Sequence, residues 1–242
     1  MAQGLAPSRE RAQAFLVAGR VFVGEVRIEK PGTLLPLDTL LVVRGNDVAY
    51  VSRGGDKLAG ALAAFAPWGL DPRGAVAVDV GASTGGFTDC LLRAGATRVY
   101  AVDVGYGQLH ERLRGDSRVV VRERTNARFL EGSSFPEAIT LVTVDASFIG
   151  FAQLAPALAR IASPDAALCA LIKPQFEAGR DVVQRGKGVV RRDEDRHAAI
   201  ASAERSLTEA GFRIVAGHDC VLAGPKGNRE YFVLGRKEDV RG

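Results

Sequence analysis

Beyond residue 54 the chain repeats one pattern: a short apolar run, a glycine-containing break, then a longer amphipathic segment. The runs at 75–80, 98–103, 118–122, 139–145 and 166–172 have strand length, while 55–66, 86–94, 107–114, 152–161 and 194–210 carry helical apolar spacing. Run 75–80 is apolar apart from Asp79, as a parallel strand covered on both faces requires. Strands alternating with helices predict a doubly wound α/β sheet, because a parallel neighbour needs a crossover connection. The order changes at the end of the chain. Strands 212–219 and 230–236 are separated by the turn residues of 223–228, so they must pair as a hairpin, with the last strand antiparallel to the sheet.

Upstream the pattern is shorter. Ser8 can cap a helix to about residue 18, with Ala12, Phe15 and Leu16 as its apolar stripe and Gly19 as its stop. Strands at 21–23, 26–28 and 39–43 follow, giving a small α/β module without room for a cofactor pocket of its own. Turn residues cluster between 44 and 54. The expected organisation is a module over 1–46, a linker over 47–54 and a main domain over 55–242.

The chemistry concentrates at the first main-domain strand. Gly81, Gly85 and Gly86 follow it and open a helix, where an open α/β sheet holds a nucleotide-like ligand. The spacing is not G-x-G-x-x-G, and such a turn can equally be empty. The next strand ends in Asp103, at the spacing of an acid that accepts both ribose hydroxyls; a helix cap is the other role open to it. A dinucleotide and S-adenosylmethionine are both candidates. Asp79 favours the second, since a carboxylate would repel a pyrophosphate but not an ammonium and a sulfonium.

Composition narrows this only a little. The chain has 242 residues, 47% hydrophobic, without an apolar run long enough to span a bilayer or a recognisable signal peptide, so a cytoplasmic protein is expected. Cys90, Cys169 and Cys220 are too widely spaced for a metal knuckle and read as reduced thiols. His110, His197 and His218 share no ligand spacing, so no metal is expected. A net charge of +4 permits a polyanionic partner without demanding one.

Further polar residues fall at the sheet's ligand edge. Asp145 ends the fourth strand, Lys173 ends the fifth, Lys57 lies near the start of the first helix and Glu230 opens the last strand. Singly, each could be a cap or a surface charge. Taken with their neighbours, Tyr50–Leu58, Asp79–Thr88, Asp103–Leu109, Asp145–Ile149, Lys173–Glu177 and Gly227–Phe232 resemble the TlyA family of ribosomal RNA methyltransferases over nearly the whole chain. The resemblance implies an FtsJ-type, class I methyltransferase sheet and a Lys57-Asp145-Lys173-Glu230 tetrad for 2′-O-methylation of ribose, with cytidine the expected nucleoside. It implies S-adenosylmethionine as cofactor, S-adenosylhomocysteine as product, and ribosomal RNA or ribosomal subunits as partner, with no membrane and no obligate protein partner. It also makes the upstream module similar to a small RNA-binding domain of ribosomal proteins and pseudouridine synthases, with RNA contacts at Ser8, Arg9, Arg11 and Arg20.

Two departures accompany it. Relatives begin further upstream with another helical turn, so the module is expected to be clipped at Met1, and they commonly have tryptophan where this chain has Tyr50. Asp79, Gly81, Ser83, Thr84, Gly85, Gly86 and Phe87 are the expected methionyl-end residues and Asp103 the ribose residue. Asn126 is either an adenine contact or a turn residue. The basic, glycine-rich stretch 179–192, with Arg180, Arg185 and Lys187, reads as a phosphate-binding loop or as a solvated one. A nucleotide-cofactor oxidoreductase and a non-catalytic RNA-binding or assembly factor are the alternatives. Family members are often labelled haemolysins, but no spanning helix or barrel pattern supports membrane insertion here.

Overall fold

The structure, a computed structural model, describes residues 50–239 throughout and, upstream, residues 3, 5, 12–13, 15–16, 19, 21–24, 26–28, 30, 32–36 and 39–43. It divides into two units, Met1–Ala49 and Tyr50–Gly242. In the first, β1 (Val21–Val23), β2 (Val26–Ile28) and β3 (Val42–Val43) form an antiparallel sheet in the order β2-β1-β3. Val21 pairs with both Ile28 and Val43, and this face packs with Phe15, Leu16 and Leu41 into a small core. Ser8, Arg9, Arg11 and Arg20, with most of the helix expected over 8–18, lie outside the described residues.

The second unit opens with α1 (Arg53–Phe65) and β4 (Val76–Val80), then α2 (Gly86–Arg93) and β5 (Arg98–Val102). It continues with α3 (Glu111–Arg114), β6 (Val119–Arg122), β7 (Ile139–Val144), α4 (Phe151–Ile161) and β8 (Ala162–Ile172). Two short helices, α5 (Pro174–Glu177) and α6 (Arg180–Arg185), precede α7 (Asp193–Glu209), β9 (Phe212–Asp219) and β10 (Tyr231–Lys237). The sheet order is β6-β5-β4-β7-β8-β10-β9. β10 is antiparallel to both neighbours and slots between β8 and β9, while the other pairings are parallel. The Rossmann-like sheet with an antiparallel last strand is therefore the fold of the chain. Alternate strand residues feed two cores: Ala77, Leu141 and Leu171 meet α1 and α2 through Leu58, Phe87 and Leu91, and Val78, Val142 and Ile172 meet α4 and α7 through Leu154, Leu158 and Leu207.

The pattern misplaces four boundaries, each for a local reason. Residues 50–54 belong to the second unit: the Val51 N–H donates to Asp89 at 2.9 Å and α1 starts at Arg53. The helix expected over 107–114 shrinks to Glu111–Arg114, because Gly107 takes a left-handed turn and His110 Nδ1 caps the Arg112 N–H. β8 starts at Ala162 instead of 166; its register with β7 jumps from Ile139–Ala162 to Leu141–Ala167, and the intervening bulge holds Asp165 at φ 61°. The stretch 179–192 contains α6 and is pinned where buried Asn228 accepts the Val190 N–H at 3.1 Å and donates to Gly188 O at 3.0 Å.

Candidate active site

β4 is where the strand order reverses, with β5 on one side and β7 on the other, and a crevice opens beyond the carboxyl ends of those strands. Two cavities meet there, sharing Gly81, Ser83 and Asp145. One, of about 520 Å³, runs beneath Asp103, Gln108, Asn126 and residues 145–149. The other, of about 350 Å³, is lined by Ser52, Arg53, Gly54, the glycine turn and all four tetrad residues. The backbone makes their junction narrow. Gly81 has φ 86°, and a Cβ on it would lie 2.8 Å from the Asp145 carbonyl oxygen, so only glycine lets the β4 turn pass the end of β7.

The tetrad resolves into two ion pairs. Lys57 Nζ on α1 meets Glu230 Oε2 at 2.5 Å with both side chains almost wholly buried. Lys173 Nζ at the end of β8 meets Asp145 Oδ1 at 2.6 Å and donates to Ser147 Oγ at 2.8 Å. Lys173 thus pairs with Asp145, and Lys57 with Glu230. Burial makes that pairing mandatory, since a lone charge at this depth would carry a large desolvation cost. Glu230 Oε1, equally buried, receives no hydrogen bond.

In the larger cavity Asp103 is held by main chain: Oδ2 accepts the Ser83 N–H at 2.8 Å and Oδ1 the Gly105 N–H at 2.7 Å. Ser83 reaches it through a left-handed turn, φ 47°. Asn126 lines the same cavity, and its side chain accepts the Arg128 N–H at 3.1 Å. Ser83, Thr84, Gly86 and Phe87 line the smaller cavity.

Two expected contacts do not line either cavity. Asp79 is fully buried on the α2 side of β4, where Thr88 Oγ1 donates to it at 2.7 Å and Thr143 Oγ1 at 3.3 Å; burial pushes its carboxyl up to about 7. It braces the glycine turn from beneath. Gly85 caps α2 at φ 98° and faces Leu109 and Leu113, so its lack of a Cβ serves packing. Arg185 and Lys187 are exposed and line neither cavity, and Arg180 opens α6.

Pattern alone also missed participants. Ser52, Arg53 and Gly54 lie in what looked like a linker, and Gln108 and Ser147 inside motifs whose acids drew attention instead. Glu177, half-buried with its carboxyl pushed up to about 7 by that burial, accepts the Phe151 N–H at 3.0 Å.

A family model described as FtsJ-like methyltransferase matches residues 50–237, the span that builds both cavities. The chain belongs to the FtsJ-like methyltransferase family. It is 45% identical over 99% of its length to the 16S/23S rRNA (cytidine-2'-O)-methyltransferase TlyA of Mycobacterium tuberculosis, covering 88% of that protein. It is 40% identical over 95% of its length to Hemolysin A of Brachyspira hyodysenteriae, covering 94% of it. A solved structure from Streptococcus thermophilus, described as a hemolysin, superposes with TM-score 0.79 at 38% identity, covering 98% of this chain and 86% of that one. Within this methyltransferase no helix among the described residues is long and apolar enough to cross a membrane.

Proposed function

We propose that this methyltransferase uses S-adenosylmethionine to methylate the 2′-hydroxyl of a ribose, with cytidine in ribosomal RNA as the target and S-adenosylhomocysteine as the product. The observation that carries it is one cavity lined by Lys57, Asp145, Lys173 and Glu230, with Lys173 Nζ held by Asp145 Oδ1 and Ser147 Oγ. Ammonium donors and carboxylate acceptors brought to one cavity suit a ligand hydroxyl, and a ribose hydroxyl is one. The name of the 45% identical Mycobacterium tuberculosis relative points to the same substrate.

The residues fit the cofactor. A cavity of about 520 Å³ has the size of a nucleoside site, Asp103 offers carboxylate lone pairs for ribose hydroxyls, and Gly81 and Ser83 continue into the tetrad cavity. When bound, S-adenosylmethionine supplies a methyl group on a sulfonium, which is a good leaving group. The tetrad's task is placement of the acceptor, worth roughly 7 to 11 kcal/mol when reactants are held in line. Asp145 and Ser147 fix Lys173 Nζ, which orients the hydroxyl and handles its proton. Glu230, fixed by Lys57, accepts the hydroxyl hydrogen bond. The upstream unit, through Ser8, Arg9, Arg11 and Arg20, and the Arg180–Lys187 stretch supply RNA affinity in a cytoplasmic enzyme.

Binding and chemistry separate in one assay. Lys173→Ala should bind S-adenosylmethionine normally by calorimetry yet fail to transfer tritiated methyl to ribosomal RNA in a single turnover. Asp103→Ala should weaken cofactor binding by about 1.5 to 3 kcal/mol, with turnover partly restored at saturation. Near wild-type transfer by Lys173→Ala would remove the tetrad and the 2′-hydroxyl chemistry with it.

A further inference from the structure

Residues 145–150 form the loop between β7 and α4, and its middle is strained. Phe148 sits at φ 64°, a left-handed conformation costly for a bulky side chain, and its ring is 91% exposed. Strain of this kind, of order 1–3 kcal/mol, persists only where the surroundings over-determine it.

Here the loop is gripped on both sides of Phe148 by the single segment 173–177. Before it, Lys173 Nζ takes Ser147 Oγ at 2.8 Å and the Asp145 carbonyl oxygen at 3.3 Å. At it, the Phe148 and Phe176 rings lie 5.1 Å apart. Behind it, Glu177 Oε1 accepts the N–H of Phe151, the first residue of α4. Gly150 leaves room for that carboxylate: a Cβ there would lie 3.3 Å from Phe176 O and 3.4 Å from Glu177 Oε2.

We infer that Glu177 is a positioning residue for methyl transfer, the rear clamp that holds the strained 145–150 loop so that Asp145 and Ser147 meet Lys173. Glu177 does not line either cavity and touches the reaction only through the loop. The inference rests on the tetrad assignment above. Without the clamp, Phe148 can relax, and the strand-end carboxylate and Ser147 move with it. Displacement of a reacting constellation by about 1 Å costs roughly a hundredfold in rate.

The test is single-turnover methyl transfer to ribosomal RNA at saturating S-adenosylmethionine. Glu177→Ala should slow transfer roughly ten- to a hundredfold. Glu177→Gln, which keeps an oxygen acceptor for the Phe151 N–H, should recover most of that loss. Because Glu177 and Ser147 act through one loop, the Ser147→Ala and Glu177→Ala losses should be markedly less than additive in the double variant. Additive losses, a glutamine variant as slow as the alanine one, or an alanine variant within about twofold of wild type would each overturn the inference. If Glu177→Ala does not fold, Gly150→Ala crowds the same clamp and should slow transfer in the same way; an unchanged rate counts against it. Lys173→Ala, run alongside, keeps the two claims apart. If it is inactive while Glu177→Ala is not, only the clamp falls; if it is active, the tetrad falls whatever Glu177 does.

Discussion

Desolvation pushes the Asp79 carboxyl up to about 7 even though the Thr88 hydroxyl favours its ionised form. In the unfolded chain the same group loses its proton near pH 3.9, so between about 4 and 7 the folded state binds the extra proton. Stability contributed by this group is therefore full at low pH, falls as pH rises through about 7, and is flat beyond, with a slope of at most about 1.4 kcal/mol per pH unit. Asp79→Asn removes the titration. The stability of wild type relative to Asp79→Asn, from denaturant curves, should fall between pH 5 and pH 8; an unchanged difference would show that Asp79 does not carry a raised pKa. The sequence displays Asp79 beside the glycine turn but not Thr88 folding back beneath it, which is why the acid reads as a ligand contact. Asp145 and Lys173 were more legible, because parallel strands place their carboxyl ends on one edge whatever their separation in the chain, whereas Lys57 and Glu230 joined them only through the family resemblance. Glu177 left no such trace, since its partner is a backbone N–H that any residue at 151 would supply.

At the scale of elements, the site depends on how closely neighbouring segments approach. α2 and α1 meet at their first turns, where Gly86 faces Ser52 and Gly55, and the β4 turn meets the end of β7 at Gly81. Gly81→Ala forces a left-handed alanine, costing about 1–2 kcal/mol, and drives its methyl against the Asp145 carbonyl. The expected outcome is a lower melting temperature together with a loss of single-turnover transfer larger than cofactor binding loses, because β7 must yield at its catalytic end. Equal losses in binding and transfer would place the glycine's role at the cofactor alone. Element existence was legible from apolar periodicity across 55–242 except for the short helices α5 and α6, whereas the ends were set by features with weak signatures: a histidine cap at His110, a bulge at Asp165, an asparagine staple at Asn228. The segment 50–54 shows the limit most clearly. Gly54 and its neighbour Gly55 read as punctuation, yet Gly55 is needed because a Cβ there would clash with the Tyr50 side chain.

For the whole molecule, the question is what the two units owe each other. Every residue of the two large cores, and every residue lining the two cavities, lies at or beyond position 50. Both cavities and the four tetrad residues therefore belong to a unit that buries its own apolar surface on both faces of a seven-stranded sheet. Among the described residues, the upstream unit's core is a few side chains around Phe15 and Val21, separate from the two large cores. Removing residues 1–49 should leave the melting temperature and the S-adenosylmethionine dissociation constant of 50–242 near those of the full chain. Methyl transfer to ribosomal RNA at subsaturating RNA should fall sharply, because phosphate contacts set affinity for a polyanion, and the loss should be least at low salt, where the remaining basic side chains attract RNA most strongly. If truncation instead abolished cofactor binding while the melting temperature held, the upstream unit would have to be assigned a part in building the cofactor site. If RNA turnover did not change at any salt concentration, RNA recognition would belong to the methyltransferase unit alone.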